Sequence, residues 1–150
     1  MIKRIIKHDR TIVNNAFGKV SYFIFGWLAE ERMKIALWDK TYEVMVFASA
    51  KDKNTPINET QEKAYVHFKE IICERKNQLE KLLEDYYHTK DIEVLASKFI
   101  PTELTFGRNG ECALSGKNTD DGEDYDDVPG LAIWIFPELR LDTDEDYRGI

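Results

Sequence analysis

Apolar positions recur with two different periods along this chain, and the change of period falls near residue 58. In the N-terminal part the period is two. Met33, Ile35 and Leu37 alternate with Lys34, Ala36 and Trp38, and Tyr42, Val44, Val46 and Ala48 alternate with Glu43, Met45, Phe47 and Ser49. Such alternation puts each set on its own face of a β-strand. Strands are expected over 20–28, 33–38 and 42–49, joined as an antiparallel set by the polar connections "AEER" and "DKT". A further short strand is expected in "MIKRIIKHD", with Ile2, Ile5 and Ile6 as its apolar residues. Both strand faces carry bulky apolar residues, so the sheet is expected to be partly covered on both sides, with a helix on one of them.

From residue 59 the period becomes 3.6. Ala64, Phe68, Ile71, Ile72, Leu79, Leu82, Leu83 and Tyr86 fall on one stripe of a helix expected over about 59–87. Asn58 is the expected N-cap, and Gln61 three residues on completes a capping-box pair. The opposite side carries charges of mixed sign, which read as a solvated face with i,i+4 support. "TKDIEVLASKF" predicts a short second helix ended by Pro101, because the residue before proline avoids the α region. A hairpin follows, with strands over 104–106 and 111–115 and a turn over 107–110. "GLAIWIFPEL" is nearly continuous in apolar residues and predicts a strand paired on both sides, closed by Pro137. "RLDTDEDYRGI" reads as a short strand or tail. The pattern gives an α+β fold: one domain over 1–150, a mostly antiparallel sheet of about six strands, and one long amphipathic helix packed on one face.

Charge changes this picture at one end only. Of the 28 acidic residues in the 150-residue chain, 11 lie in residues 117–150 against 3 basic ones, a net of −8, while the first 116 residues carry a net of +1. A cationic footprint for nucleic acid is not what this end offers; it suits a cationic partner or solubility. No apolar run reaches the roughly 20 residues of a membrane span, and the start lacks the apolar core of a signal peptide. A cytoplasmic location with no membrane and no nucleic-acid partner is expected. Cys73 and Cys112 follow no CxxC spacing and are expected to be buried free thiols. His8, His67 and His88 form no HExxH or other ligand pair.

The chemistry-bearing stretch is "KNTDDGEDYDDVPGLAIWIF". Asp120, Asp121, Glu123, Asp124, Asp126 and Asp127 invite a calcium reading, but aligning Gly122 with the EF-hand glycine puts Lys117 and Val128 at the first and last ligand positions. Asp142, Asp144 and Asp146 have the spacing but Tyr147 stands where the glycine is needed. No metal or other cofactor is therefore expected. No GxSxG, P-loop or dinucleotide fingerprint appears, so no catalytic residue is assigned. Tyr125 is an aromatic among six carboxylates, suited to stacking on an Arg or Lys of a partner. The expected partner surface is Asp120, Asp121, Glu123, Asp124, Tyr125, Asp126 and Asp127 with Asp142, Asp144 and Asp146.

Over roughly residues 27–147 the chain resembles an uncharacterised family of small bacterial cytoplasmic α+β domains. The resemblance rests on "MKIALWDKTYEVMVFAS", "NETQEKAYVHFKEIICERKNQLEKLLEDYY", "PTELTF" and "DDVPGLAIWIFPEL". Some members lie beside polymorphic toxin genes and are regarded as immunity proteins. The resemblance implies a protein-binding module that neutralises a basic toxin domain, possessing no catalytic group. Two other readings stand beside it: an enzyme or metal-binding domain with its site over 118–127, and a structural domain whose acidity serves solubility.

Overall fold

A computed structural model describes residues 10–118, 131–142 and 146–150. The strand expected over 1–9 lies outside the described residues. Among those residues the fold is α+β, with nine strands: β1 (Thr11–Asn14), β2 (Gly18–Tyr22), β3 (Gly26–Ala29), β4 (Met33–Leu37), β5 (Lys40–Ser49), β6 (Phe99–Phe106), β7 (Cys112–Asn118), β8 (Leu131–Phe136) and β9 (Arg140–Asp142). Two helices, α1 (Glu59–Tyr87) and α2 (Ile92–Lys98), lie between β5 and β6, and a 3-10 turn (Asp146–Gly149) follows β9.

The nine strands depart from the expected sheet of about six in three respects, each with a physical reason. Residues 20–28 are two strands, β2 and β3, split by a turn at Ile24 and Phe25, residues that favour extended backbone. β6 starts at Phe99, so Pro101 does not stop α2 but sits inside a strand, at a register shift where a missing N–H is tolerated. β1 and β9 are edge strands of four and three residues, too short to show a period.

The sheet runs β1-β2-β3-β5-β6-β7-β8-β9, with β4 also paired to β5. Every pairing is antiparallel except β5 with β6, which α1 and α2 connect as a parallel crossover. β3 and β4 share one side of β5. Between Leu28↔Phe47 and Met33↔Val44 the β3–β4 segment holds extra residues, so it bulges at residues 30–32. β8 pairs with β7 and β9, and Leu131 to Ile135 are all buried, as its unbroken apolar run requires.

Helix α1 begins where the sequence places it. The Asn58 side-chain oxygen accepts from the Gln61 backbone N–H at 2.7 Å, and the Gln61 side-chain oxygen accepts from the Asn58 N–H at 3.0 Å. Gln61 is fully buried, and its Nε2 donates to the carbonyls of Ser49 (2.9 Å) and Phe106 (3.0 Å). The helix start is thereby fastened to the last residues of the two parallel strands. Further along, Phe68, Leu79 and Leu83 are completely buried against the sheet. The solvent side carries the i,i+4 pairs Glu59–Lys63 and Lys81–Asp85, while the pair Lys76–Glu80 is half-buried, with Glu80 also accepting from the Trp38 N–H. Cys73 lies on this solvent side and is exposed, contrary to expectation; Cys112 is buried.

The sheet curls around α1. On one wing, Phe17 beside the β1–β2 turn stacks on Tyr65 (4.4 Å between centroids) and Asn14 donates to Glu62 (3.0 Å). On the other, Phe136 at the end of β8 stacks on His67 (4.9 Å). Among the described residues, no helix is long and apolar enough to cross a membrane.

Candidate functional site

Cross-strand register sorts the sheet into rows of opposite character. The row Val46–Leu104–Leu114–Ile133–Leu141 is wholly apolar and faces α1. One step along, the row Met45–Glu103–Ser115–Ala132–Asp142 faces the other way and carries two carboxyls and a hydroxyl. A second row on that outer face is Leu28–Phe47–Thr105–Ala113–Trp134–Arg140. Period-two alternation in "TELTF" produces this sorting: Leu104 and Phe106 point to the helix, Glu103 and Thr105 to the outer face.

The outer face is largely out of water. Thr105 and Ser115 are each 8 % exposed and Trp134 5 %. The Thr105 hydroxyl lies 3.2 Å from the Glu103 carboxylate and donates to it. That bond favours the ionised acid, but burial outweighs it and pushes the Glu103 carboxyl above its ordinary value of 4.5. At the far end, Asp142 is 2 % exposed. Its Oδ2 accepts from the Trp134 indole N–H at 3.1 Å and from the Tyr147 backbone N–H at 2.7 Å. The Arg140 guanidinium lies 5.0 Å from the Trp134 ring, directly across the ladder.

The residues expected from the sequence fare differently. Asp120, Asp121, Glu123, Asp124, Tyr125, Asp126, Asp127 and Asp144 lie outside the described residues. Asp146 is exposed at the start of the 3-10 turn. Asp142 turns inward: the indole and the Tyr147 amide hold its carboxylate, so it orients the C-terminal turn and offers no open surface. The acidic stretch joins the ends of two neighbouring strands, since Gly116 pairs with Leu131 across β7 and β8. Asn118, its near root, accepts from the Tyr87 hydroxyl at 2.7 Å, which ties that root to the end of α1.

Sequence reasoning passed over Glu103, a carboxyl on a strand between Thr102 and Leu104. The alternation of "TELTF" was the available signal, because it puts an acid beside threonine on one strand face. Among the described residues no group of three or more His, Cys, Asp or Glu side chains is placed to hold a metal ion. The C-terminal residue lies on this same outer face, where the Ser49 hydroxyl donates to the Ile150 carbonyl at 2.7 Å. Compared with known protein families, curated proteins and solved structures, the chain matches none.

Proposed function

We propose that this chain is a protein-binding module of the immunity type, which neutralises a basic toxin domain by covering it. The observation that carries the reading is where the acidic stretch is rooted. Six carboxylates are strung between the paired ends of β7 and β8, two strands buried along most of their length. A rigid base displays charge without the cost of ordering its support. The outer sheet face with Glu103 and Ser115 continues from the same strands. A toxin domain that attacks nucleic acid is basic because its substrate is a polyanion. An acidic binder steers toward such a surface and holds it without any catalytic group.

The test is parallel capture from the native cell with the wild-type chain and with a variant in which Asp120, Asp121, Asp124 and Asp126 are all changed to Lys. The expected result is a basic protein retained by the wild type and lost by the variant. With that protein in hand, the association rate should fall by roughly 10- to 100-fold in the variant at low salt, and the wild-type rate should fall as salt rises. A captured protein that is acidic, or an on-rate the same for both chains, would overturn the proposal.

A further inference from the structure

The β2–β3 turn combines two features that are each unfavourable in a free fold. Tyr22 pairs with Trp27, and the Phe23 N–H donates to the Gly26 carbonyl at 2.8 Å, so Ile24 and Phe25 form a two-residue hairpin loop. Both have positive φ, 35° and 62°. Hairpins fill these positions with Asn-Gly or Asp-Gly, because side chains larger than theirs crowd the backbone in the left-handed region. A β-branched isoleucine is among the least suited residues there. Both side chains also stand in solvent: Ile24 is 63 % and Phe25 71 % exposed.

Three chain segments meet at this tip, and they are rich in basic groups. The Tyr22 N–H donates to the Arg10 carbonyl and the Ala50 N–H to the Phe25 carbonyl, each at 2.8 Å. Arg10 in turn donates to the Lys53 carbonyl at 3.2 Å. Arg10, Lys51 and Lys53 are all exposed. Asp52, the one acid among the described residues of these segments, accepts from the Asn54 N–H and the Thr55 hydroxyl within its own turn, at 2.9 Å each.

The tip also lies far from Asn118, the root of the acidic stretch. It adjoins the C-terminal ends of β5 and β6, where Ala48 pairs with Phe106. The acidic stretch springs from Asn118, which pairs with Phe99 at the opposite end of β6. Seven residue steps along a strand put these ends roughly 23 Å apart, more than two Debye lengths at physiological salt.

We infer that the Ile24–Phe25 tip is a docking element for an anionic lipid surface. A convex tip of two large apolar side chains has no groove to receive a partner, and a fluid bilayer interface accepts it without shape complementarity. Peripheral docking of this kind needs no spanning segment, and it runs against the sequence-based expectation of no membrane contact. Arg10, Lys51 and Lys53 supply the attraction to anionic headgroups, at about fivefold in affinity per residue near the surface. The root of the acidic stretch at Asn118 lies at the end of β6 opposite to the tip. An acidic protein is the competing occupant, and the test distinguishes it.

The experiment is co-sedimentation of the full chain with vesicles of phosphatidylcholine alone and of phosphatidylcholine with phosphatidylserine at about 30 %, a proportion giving a clearly negative surface. The wild type is expected to bind the anionic vesicles and to release at high salt. The double substitution Ile24→Asn/Phe25→Gly installs the preferred residues of this turn, so it should fold at least as stably while losing binding by about tenfold or more. Lys51→Glu/Lys53→Glu should lose binding to the same vesicles with the apolar tip intact. No wild-type binding to anionic vesicles, equal binding by the Asn-Gly variant, or equal binding to neutral vesicles would each overturn the proposal. Capture of an acidic protein by a chain that ignores vesicles would assign the tip to that partner instead.

Discussion

At the residue scale, two glycines mark where the curl of the sheet leaves no room for a side chain. A Cβ at Gly116 would sit 2.4 Å from the Ile100 carbonyl oxygen and 2.8 Å from the Pro101 Cα, at the register shift between β6 and β7. At Gly26 it would sit 2.3 Å from the Phe47 ring and 2.7 Å from the Ala48 carbonyl oxygen. Backbone atoms of a paired strand cannot swing aside as a side-chain end can. Gly116→Ala should therefore cost about 3 kcal/mol, at the upper end of ordinary overpacking. Gly18 isolates the conformational part: its φ is +74° with nothing within 4 Å of a Cβ, and Gly18→Ala should cost about 1 kcal/mol. Gly149 has neither restriction, and Gly149→Ala should be close to neutral. Urea unfolding of the three variants checks the order; a Gly116→Ala variant as stable as Gly149→Ala would show that the two strands can part without loss.

At the element scale, the bounds of helix α1 were legible and the sheet only in outline. The helix carries its own boundaries: Asn58 and Gln61 form the capping box, and His88 ends it in the left-handed region at φ 57° with its N–H donating to Glu84. Those signals act within a few residues, so they survive in the sequence. The division of 20–28 into two strands did not, because the turn uses Ile24 and Phe25, residues whose preference is for extended backbone. Likewise, the outer-face position of Glu103 was implied by alternation, but its burial depends on strands more than ten residues away. The inward turn of Asp142 was hidden because it depends on the pairing of β8 with β9, which brings the Trp134 indole to its carboxylate. Local control of the helix can be tested directly. Asn58→Ala removes both the acceptor for the Gln61 N–H and the Nδ2 donor to the Arg108 carbonyl (2.9 Å), and should cost about 1–2 kcal/mol. Asn58→Asp keeps the acceptor and adds negative charge at a helix N-terminus, so it should recover most of that loss. Thermal melts followed by helical circular dichroism measure both, and an Asp variant no better than Ala would take the cap out of the explanation.

At the scale of the whole molecule, a sealed apolar face and a half-buried polar one give stability a dependence on pH. Glu103 lies between Met45 and Ser115 in the outer row, and burial there disfavours its charged form. Its folded-state pKa is therefore above the ordinary 4.5 that the unfolded chain would show. Below pH 4.5 the acid is neutral in both states and costs nothing. As pH rises from there, the unfolded chain ionises first, so unfolding is increasingly favoured until the folded form ionises too. Stability falls through that interval and then levels off. Asp52 acts in the opposite sense: hydrogen bonds from Thr55 and Asn54 hold it below its ordinary 3.8, so its contribution is lost only as pH falls beneath that value. The two windows do not overlap, and a titration separates them. Glu103→Gln keeps the size of the side chain and an acceptor for the Thr105 hydroxyl while removing the ionisation. Its stability relative to wild type should be unchanged well below pH 4.5, rise as pH passes 4.5, and level off once the folded form ionises, measured by urea unfolding at a series of pH values. A difference constant across the series would mean that Glu103 is ionised at no cost, and that the outer face is wetter than its packing implies.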